Sequence, residues 1–554
     1  MAVQSADLVI TGGRIWTQDP GRPGAEALAV RGGALVAVGT TSEVEPFIGP
    51  RTAVHDVDGA MVLPGLVDGH VHLNLGGSQA AFELPLLPAD DRETVLGKVR
   101  ERAGSLEPDA WVVGGIIGSG TMGGLADADA LARLDEAGGG RPVLLRDDTM
   151  HSRWVSSRAL ELMGVDAGAP DPEGGRYARD HRGRLTGVLH EAAAGEAEAA
   201  FARSVPDPRA RFVASARTAI GVLNRCGVTS AQEAATMLGP AEAYASLEAS
   251  DELNARIVLS TPARPFLEEG VVGAELAERA GRLRADLVRP DFVKIVLDGV
   301  PTSRTSALLV PYACHHGGAN GFRGEPYWSR EDLVAELKRC DESGLGAKMH
   351  ATGDASVRLA LDAAEELRAT GSQVPLQIAH TEFVDPEDVA RFGELDVAAD
   401  LSPHLWYPGI MRESIAEQVP DELVAGAWPT RDLLDGGALL AAGSDWPCAA
   451  PDPDPWAGME ALVTRRDPRG EAPGSVNSGQ ALTVQEAVAA FTVDAARAAG
   501  IDDVAGRLVP GRPADFAVLD RDLFDIAPEE IHRTTVTCTC FAGRVVHGGL
   551  SEPT

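Results

Sequence analysis

At 554 residues the chain is too long for one small domain, and 44% hydrophobic with 24% charged residues excludes wholesale disorder. Eighty-two acidic residues against 49 basic ones leave a formal net charge of −33. So acidic a surface repels phosphate backbones and anionic lipid heads, which argues against nucleic acid and membrane partners.

In chain order, the amino-terminal MAVQSADLVITGGRIW lacks a basic segment leading into an apolar core. No later apolar run approaches the ~20 residues that span a bilayer. A cytoplasmic protein is the expectation. Residues 1–64 read as short alternating runs broken by Gly-Gly turns at 12–13 and 32–33, the pattern of hairpins. The carboxyl-terminal stretch 505–554 repeats that pattern in PADFAVLDR and TTVTCTCFAGRVVHGG. Neither end is large enough for its own core, so the two are expected to pair into one composite domain.

Residues 65–504 follow a different pattern. Eight apolar runs end in polar or glycine residues: 66–73, 227–234, 255–261, 292–299, 346–353, 376–383, 396–403 and 439–447. Helical stretches intervene, among them 208–226, 274–285, 329–343 and 354–369. Eight strands alternating with helices are the count of a (β/α)8 barrel, a TIM-like α/β fold whose chemistry sits at the carboxyl ends of the strands. The interval 74–207 after the first strand is too long for one helix and predicts an insertion covering the active site. Its Gly/Pro/Asp-rich segment 164–187 reads as irregular structure over the barrel mouth.

Polar residues gather at the strand ends. His70-Val71-His72 lies near the end of the first run, where residues i and i+2 share a side and both imidazoles can reach one ion. His350 ends the fifth run, His380 the sixth and Asp445 the eighth. Four imidazoles and a carboxylate suit zinc or a similar divalent cation, as one ion or two.

Lys294 joins them in FVKIVLDG. Only four lysines occur, Lys98, Lys294, Lys338 and Lys348, so one in an apolar run stands out. A neutral lysine can add carbon dioxide to give an anionic carbamate ligand; arginine cannot. The competing reading pairs Lys294 with Asp298. Lys348 shares a face with His350 but lies nearer the start of its strand, below the site. Six cysteines are too sparse for a disulfide scaffold, and Cys538-Thr-Cys540 reads as two residues on one face of a strand.

LPGLVDGHVHL, GSDWP and AGRLVPGRPADFAVLD resemble the amidohydrolase superfamily, while HATGDAS, VKIVLDG, HSRWVSSRAL and GVLHEAA resemble its subgroup of YtcJ-like hydrolases and N-substituted formamide deformylase. The resemblance implies a metal-dependent barrel with a small β-sandwich shared by the two termini. It implies His70, His72, His350, His380 and Asp445 as metal ligands, with Lys294 at the carbamylated position. His404 and Trp406 fall where substrate-shaping residues are expected.

The site implies attack by a metal-activated water, with Asp445 as the base that takes its proton and returns it to the leaving amine. His151 is a candidate donor to the oxyanion or a lid-surface histidine. Glu191 is a candidate for holding a substrate amine or a supporting histidine, and Trp446 with Trp406 for an apolar wall. The expected reaction is hydrolysis of a carbon–nitrogen bond in a small amide or N-formyl amine, by a chain that can form a homodimer. A deaminase or cyclic-amide hydrolase, or a non-catalytic binding relative, are the alternatives.

Overall fold

The protein, seen here as a computed structural model, is described at residues 4–125, 127–265, 270–313, 321–448 and 452–550. Eight parallel strands form one sheet in chain order: β1 (Leu66–Val71), β2 (Val228–Glu233), β3 (Arg256–Pro262), β4 (Val288–Val296), β5 (Gly346–Ala351), β6 (Leu376–His380), β7 (Val397–Leu401) and β8 (Leu440–Ala442). Their Val, Ile, Leu and Ala side chains are nearly all buried, as a parallel sheet covered by helices requires. Each strand coincides with one of the eight apolar runs.

The edge strands meet beyond their ends. The Asp445 amide donates to the His70 carbonyl at 2.7 Å, and the His72 amide donates to the Trp446 carbonyl at 2.8 Å. Gly443 permits this approach, since a Cβ there would lie 2.2 Å from the His70 nitrogen. The closure therefore locks two predicted ligand strands against each other.

The helices begin where the sequence signals them. Asp207 caps Pro208–Arg225, accepting from the Ala210 amide, with proline at the first helical position. Ser329 caps Arg330–Glu342 by accepting from Asp332, and Glu331 and Asp332 complement the helix dipole. Their apolar faces join the strands in the main buried core.

The insertion corrects one expectation. The 164–187 segment is irregular only at 164–174 and 180–184: Gly175–Arg179, Leu185–Glu191, Ser152–Val155, Val143–Asp147, Val112–Ile117 and Leu84–Pro85 form a six-stranded mixed sheet in that order. The 164–187 segment contributes a hairpin to it, because Tyr177 and Leu189 pair across the strands and are buried. Trp154, Leu145 and Leu134 fill a separate buried cluster within this region.

Strands from both ends of the chain share sheets. Phe516–Leu519 lies between Met61–Pro64 and Val536–Phe541 in a six-stranded sheet, and Leu8–Thr11 belongs to a four-stranded one. Leu8, Val62, Phe516, Cys538 and Cys540 meet in one buried cluster, so both cysteines face inward as their alternation implies. A buried Arg256–Asp515 ion pair ties this region to β3. Among the described residues, no helix is long and apolar enough to cross a membrane.

Candidate metal centre

The carboxyl ends of the strands enclose a cavity of about 620 Å³, roughly the size of a small-molecule site. His72, Lys294, His350, His380 and Asp445 line it, and residues 149–151 of the insertion contribute to its wall. His70 lies behind this lining and is fully buried.

Three ligand atoms converge. One atom each from His70, His72 and Asp445 lies within 4.8 Å of the others. Asp445 Oδ1 is 3.4 Å from His72 Nε2 and 3.6 Å from His70 Nε2, yet it is buried without a hydrogen-bond donor. His70 Nδ1 donates to Asp400 Oδ2 at 2.6 Å, which leaves the Nε2 lone pair aimed at the same space. A carboxylate oxygen and an imidazole lone pair so close repel each other unless a cation lies between them.

The other histidines surround that point. The His380 ring centroid lies 5.0 Å from that of His70 and 4.5 Å from that of His350, and His380 Nδ1 is 3.9 Å from Asp445 Oδ2. His350 Nε2 donates to the Gly299 carbonyl at 3.0 Å, so its Nδ1 lone pair remains for a ligand. Burial pushes His70, His350 and His380 well below the ordinary imidazole range, with the Lys294 charge acting in the same direction. Neutral imidazoles are the form that binds metal. Burial opposes charge on Asp445, but His70, His72 and His380 around it hold its carboxyl below the usual range. His380 and Asp445 both adopt positive φ, +74° and +56°, a region that few non-glycine residues occupy.

Lys294 Nζ lies 3.4 Å from His70 Nε2. Burial, and then the Lys348 charge across the paired strand, push its ammonium down to about 8. The alternative pairing with Asp298 is absent: Asp298 accepts from the amides of Ala307, Thr352 and Gly353 instead. Lys348 sits below the site, as its position implies, donating to Asp400 Oδ2 at 2.5 Å and to the Gly69 carbonyl at 3.0 Å.

An amidohydrolase family match runs from residue 53 to residue 547. The chain belongs to this family. Among curated relatives, it is 28% identical to Protein LONG AFTER FAR-RED 3 of Arabidopsis thaliana, covering 98% of this chain and 92% of that one. It is 27% identical to the putative amidohydrolase YtcJ of Bacillus subtilis (strain 168), covering 97% and 98%. It is 26% identical to the N-substituted formamide deformylase of Arthrobacter pascens, covering 98% of each. In fold it is similar to an uncharacterized metal-dependent hydrolase from Pyrococcus horikoshii OT3, with TM-score 0.72, 22% identity, and coverage of 94% and 99%.

The remaining predicted residues of this amidohydrolase divide into two groups. His151 lines the cavity with its ring 5.9 Å from His350, and its Nδ1 donates to Glu191 Oε2 at 2.9 Å. Burial disfavours its charge, but Glu191 raises it above the ordinary imidazole range. Glu191, also bonded to Thr305, therefore supports a histidine and does not itself line the cavity. Trp406 lines the cavity, stacked on Trp428.

His404 and Trp446 are corrections. His404 turns away, contacting the Asp454 carbonyl at 2.7 Å, because its 3-10 turn packs against helix Pro455–Thr464. Trp446 is buried beneath Gly76 of helix Leu73–Phe82, so it supports the segment that carries His72 and does not line this cavity.

Two residues escaped the sequence reading. Asp400, an acid inside the apolar run VAADL, bridges His70 and Lys348. Glu382, two residues after His380, lines the cavity, and burial pushes its carboxyl up to about 8.

Proposed function

We propose that the chain hydrolyses a carbon–nitrogen bond in a small amide or N-formyl amine, with zinc or a similar divalent ion held by His70, His72, His350, His380 and Asp445. Lys294, as a carbamate, completes the set. The observation that carries this reading is the convergence of His70, His72 and Asp445, whose buried Oδ1 has no donor of its own. The likeness to N-substituted formamide deformylase supports the choice of bond.

Bound there, the ion supplies Lewis acidity and an acidified water. Asp445, held ionised, takes the proton of the attacking water and later delivers it to the leaving nitrogen. His151, its cationic form favoured by Glu191, donates to the carbonyl oxygen as charge builds there. Asp400 fixes the His70 tautomer, with Lys348 balancing its charge. The depressed Lys294 ammonium raises the fraction of neutral amine available near neutrality, the form that captures carbon dioxide.

Elemental analysis followed by an amide and formamide panel tests this reading. One or two equivalents of divalent metal and release of an amine with a carboxylate are expected. No metal, and no activity restored by zinc, manganese or cobalt, overturns it; ammonia as the nitrogen product redirects it to deamination. Lys294→Ala should regain activity with short carboxylic acids, which Lys294→Arg should not.

A further inference from the structure

Apart from Asp445 in the converging ligand group, the buried carboxylates at the barrel mouth each have partners, with one exception. Asp68 accepts from Ser444 through both amide and hydroxyl, Asp298 from three backbone amides, and Asp400 from His70 and Lys348. Glu191 holds His151 and Thr305, and Glu233 holds two backbone amides and the Tyr244 hydroxyl. Glu382 is 5% exposed, yet neither of its oxygens has a hydrogen-bond or ion-pair partner among the described residues. It lines the cavity but falls outside the converging His70–His72–Asp445 group. A buried carboxyl without a partner favours its protonated form, and it ionises at little cost only when something cationic brought into the cavity satisfies it.

The surroundings indicate what that is. The Trp428 amide donates to the Glu382 main-chain carbonyl at 2.8 Å, which holds the two backbones together where both residues line the cavity. Trp428 stacks on Trp406 with centroids 5.9 Å apart and planes 21° from parallel, and both line the cavity. Tryptophan faces attract cations through the ring quadrupole, and a carboxylate adds a full opposite charge. Arg465 does not fill this role. Its guanidinium lies over Trp406 at 5.3 Å but donates to the carbonyls of Val476 and Trp428, without pairing to Glu382. The net charge of −33 also favours cationic ligands reaching the mouth.

We propose that Glu382, beside the Trp406–Trp428 stack, recognises an alkylammonium group on the substrate, so that the chain selects cationic amides over neutral ones of the same shape. This inference rests on the hydrolase reading for the reacting end of the substrate, while the ammonium site can be tested by binding alone.

Calorimetry on the metal-loaded protein would compare (4-hydroxybutyl)trimethylammonium with its neutral isostere, 5,5-dimethylhexan-1-ol. Neither probe carries an amine that could ligate metal. The cation should bind at least about tenfold more tightly, and Glu382→Gln should bring the ratio close to one. Equal binding, preference for the neutral probe, or a Glu382→Gln protein that keeps the wild-type ratio overturns the proposal. Should Glu382→Gln not fold, Glu382→Asp, which withdraws the charge by one methylene, should lower the ratio; an unchanged ratio again overturns it. The matching N-formyl amines give the second arm, where the ratio of kcat/KM should follow the binding ratio. If neither formamide is hydrolysed while the cation still binds through Glu382, the reaction assignment fails and the ammonium site stands.

Discussion

The buried charged side chains of the insertion and those of the barrel mouth are built in opposite ways. In the insertion, Arg146 donates to Glu83 and, through Nε at 2.7 Å and Nη2 at 2.9 Å, to Glu198. Arg153 reaches the same Glu198 at 2.6 Å, and its Nη1 donates to the carbonyls of Met150 and Ser152. Cations and anions interlock there, and burial is offset by direct pairing. At the barrel mouth, by contrast, neutral imidazoles and carboxylates point at one another, and Asp445 Oδ1 has no donor. Arg146, Arg153 and Glu198 line the same cavity, so burial of charge by itself does not mark a metal centre. What marks one is a set of acceptors whose mutual arrangement makes sense only around something else.

The sharpest way to break this comparison is Asp445→Asn. Losing the base should lower kcat by about 10²–10⁴-fold while much of the bound metal remains. His70→Ala and His72→Ala should instead lose metal and activity together. Equal loss of metal in Asp445→Asn would make Asp445 a ligand only.

The insertion network should respond with stability and not with metal. Glu198→Ala leaves Arg146 and Arg153 buried with one carboxylate between them, a change expected to cost about 3–5 kcal/mol. Thermal melting should record it. Metal content per folded molecule should match the wild type; a parallel loss of metal would erase the distinction between the two clusters.

Asp400→Asn tests the underside of the metal centre. It keeps the shape but removes the charge that fixes the His70 tautomer and balances Lys348. Metal affinity should fall by about 10–100-fold, measured by chelator competition. A similar affinity would mean that Lys348 and His70 are held by packing alone.

Which of these features could be seen in the sequence depends on how local their signals are. The barrel strands were legible because each apolar run is continuous and ends in a polar residue that becomes the mouth. The placement of His70, His350 and His380 at the mouth was legible for the same reason, since the end of a strand fixes where its side chain goes, whereas His72 and Asp445 lie just past β1 and β8 and were placed by the motifs around them. The insertion sheet was not. Val112–Ile117 reads VVGGII, with two glycines that suggest a loop, and becomes a strand only by pairing with Val143–Asp147 from outside the run. His404 and Trp446 lie past the ends of β7 and β8, where the two-residue alternation no longer sets direction. Asp400 was hidden because an acid in an apolar run has no sequence mark of its partner, and Lys348 lies 52 residues away.

The smallest expected effect concerns pH. Glu191 raises the His151 pKa above its ordinary value of 6.5, Asp147 adds to this, and burial with Arg153 opposes it. Glu191 itself is lowered by His151, although burial works against that. A raised imidazole keeps its proton below the ordinary value and loses it as pH rises through the shifted one. Any stability or rate that depends on the cation is therefore fully present on the acid side and declines on the alkaline side. If His151 donates to the substrate carbonyl, kcat/KM should carry an alkaline limb set by this pair. Glu191→Gln should move that limb to lower pH, and nuclear magnetic resonance of the His151 ring should titrate with it. His151→Gln should remove the limb. A limb that stays in place in both variants would assign it to another group and return His151 to the lid surface.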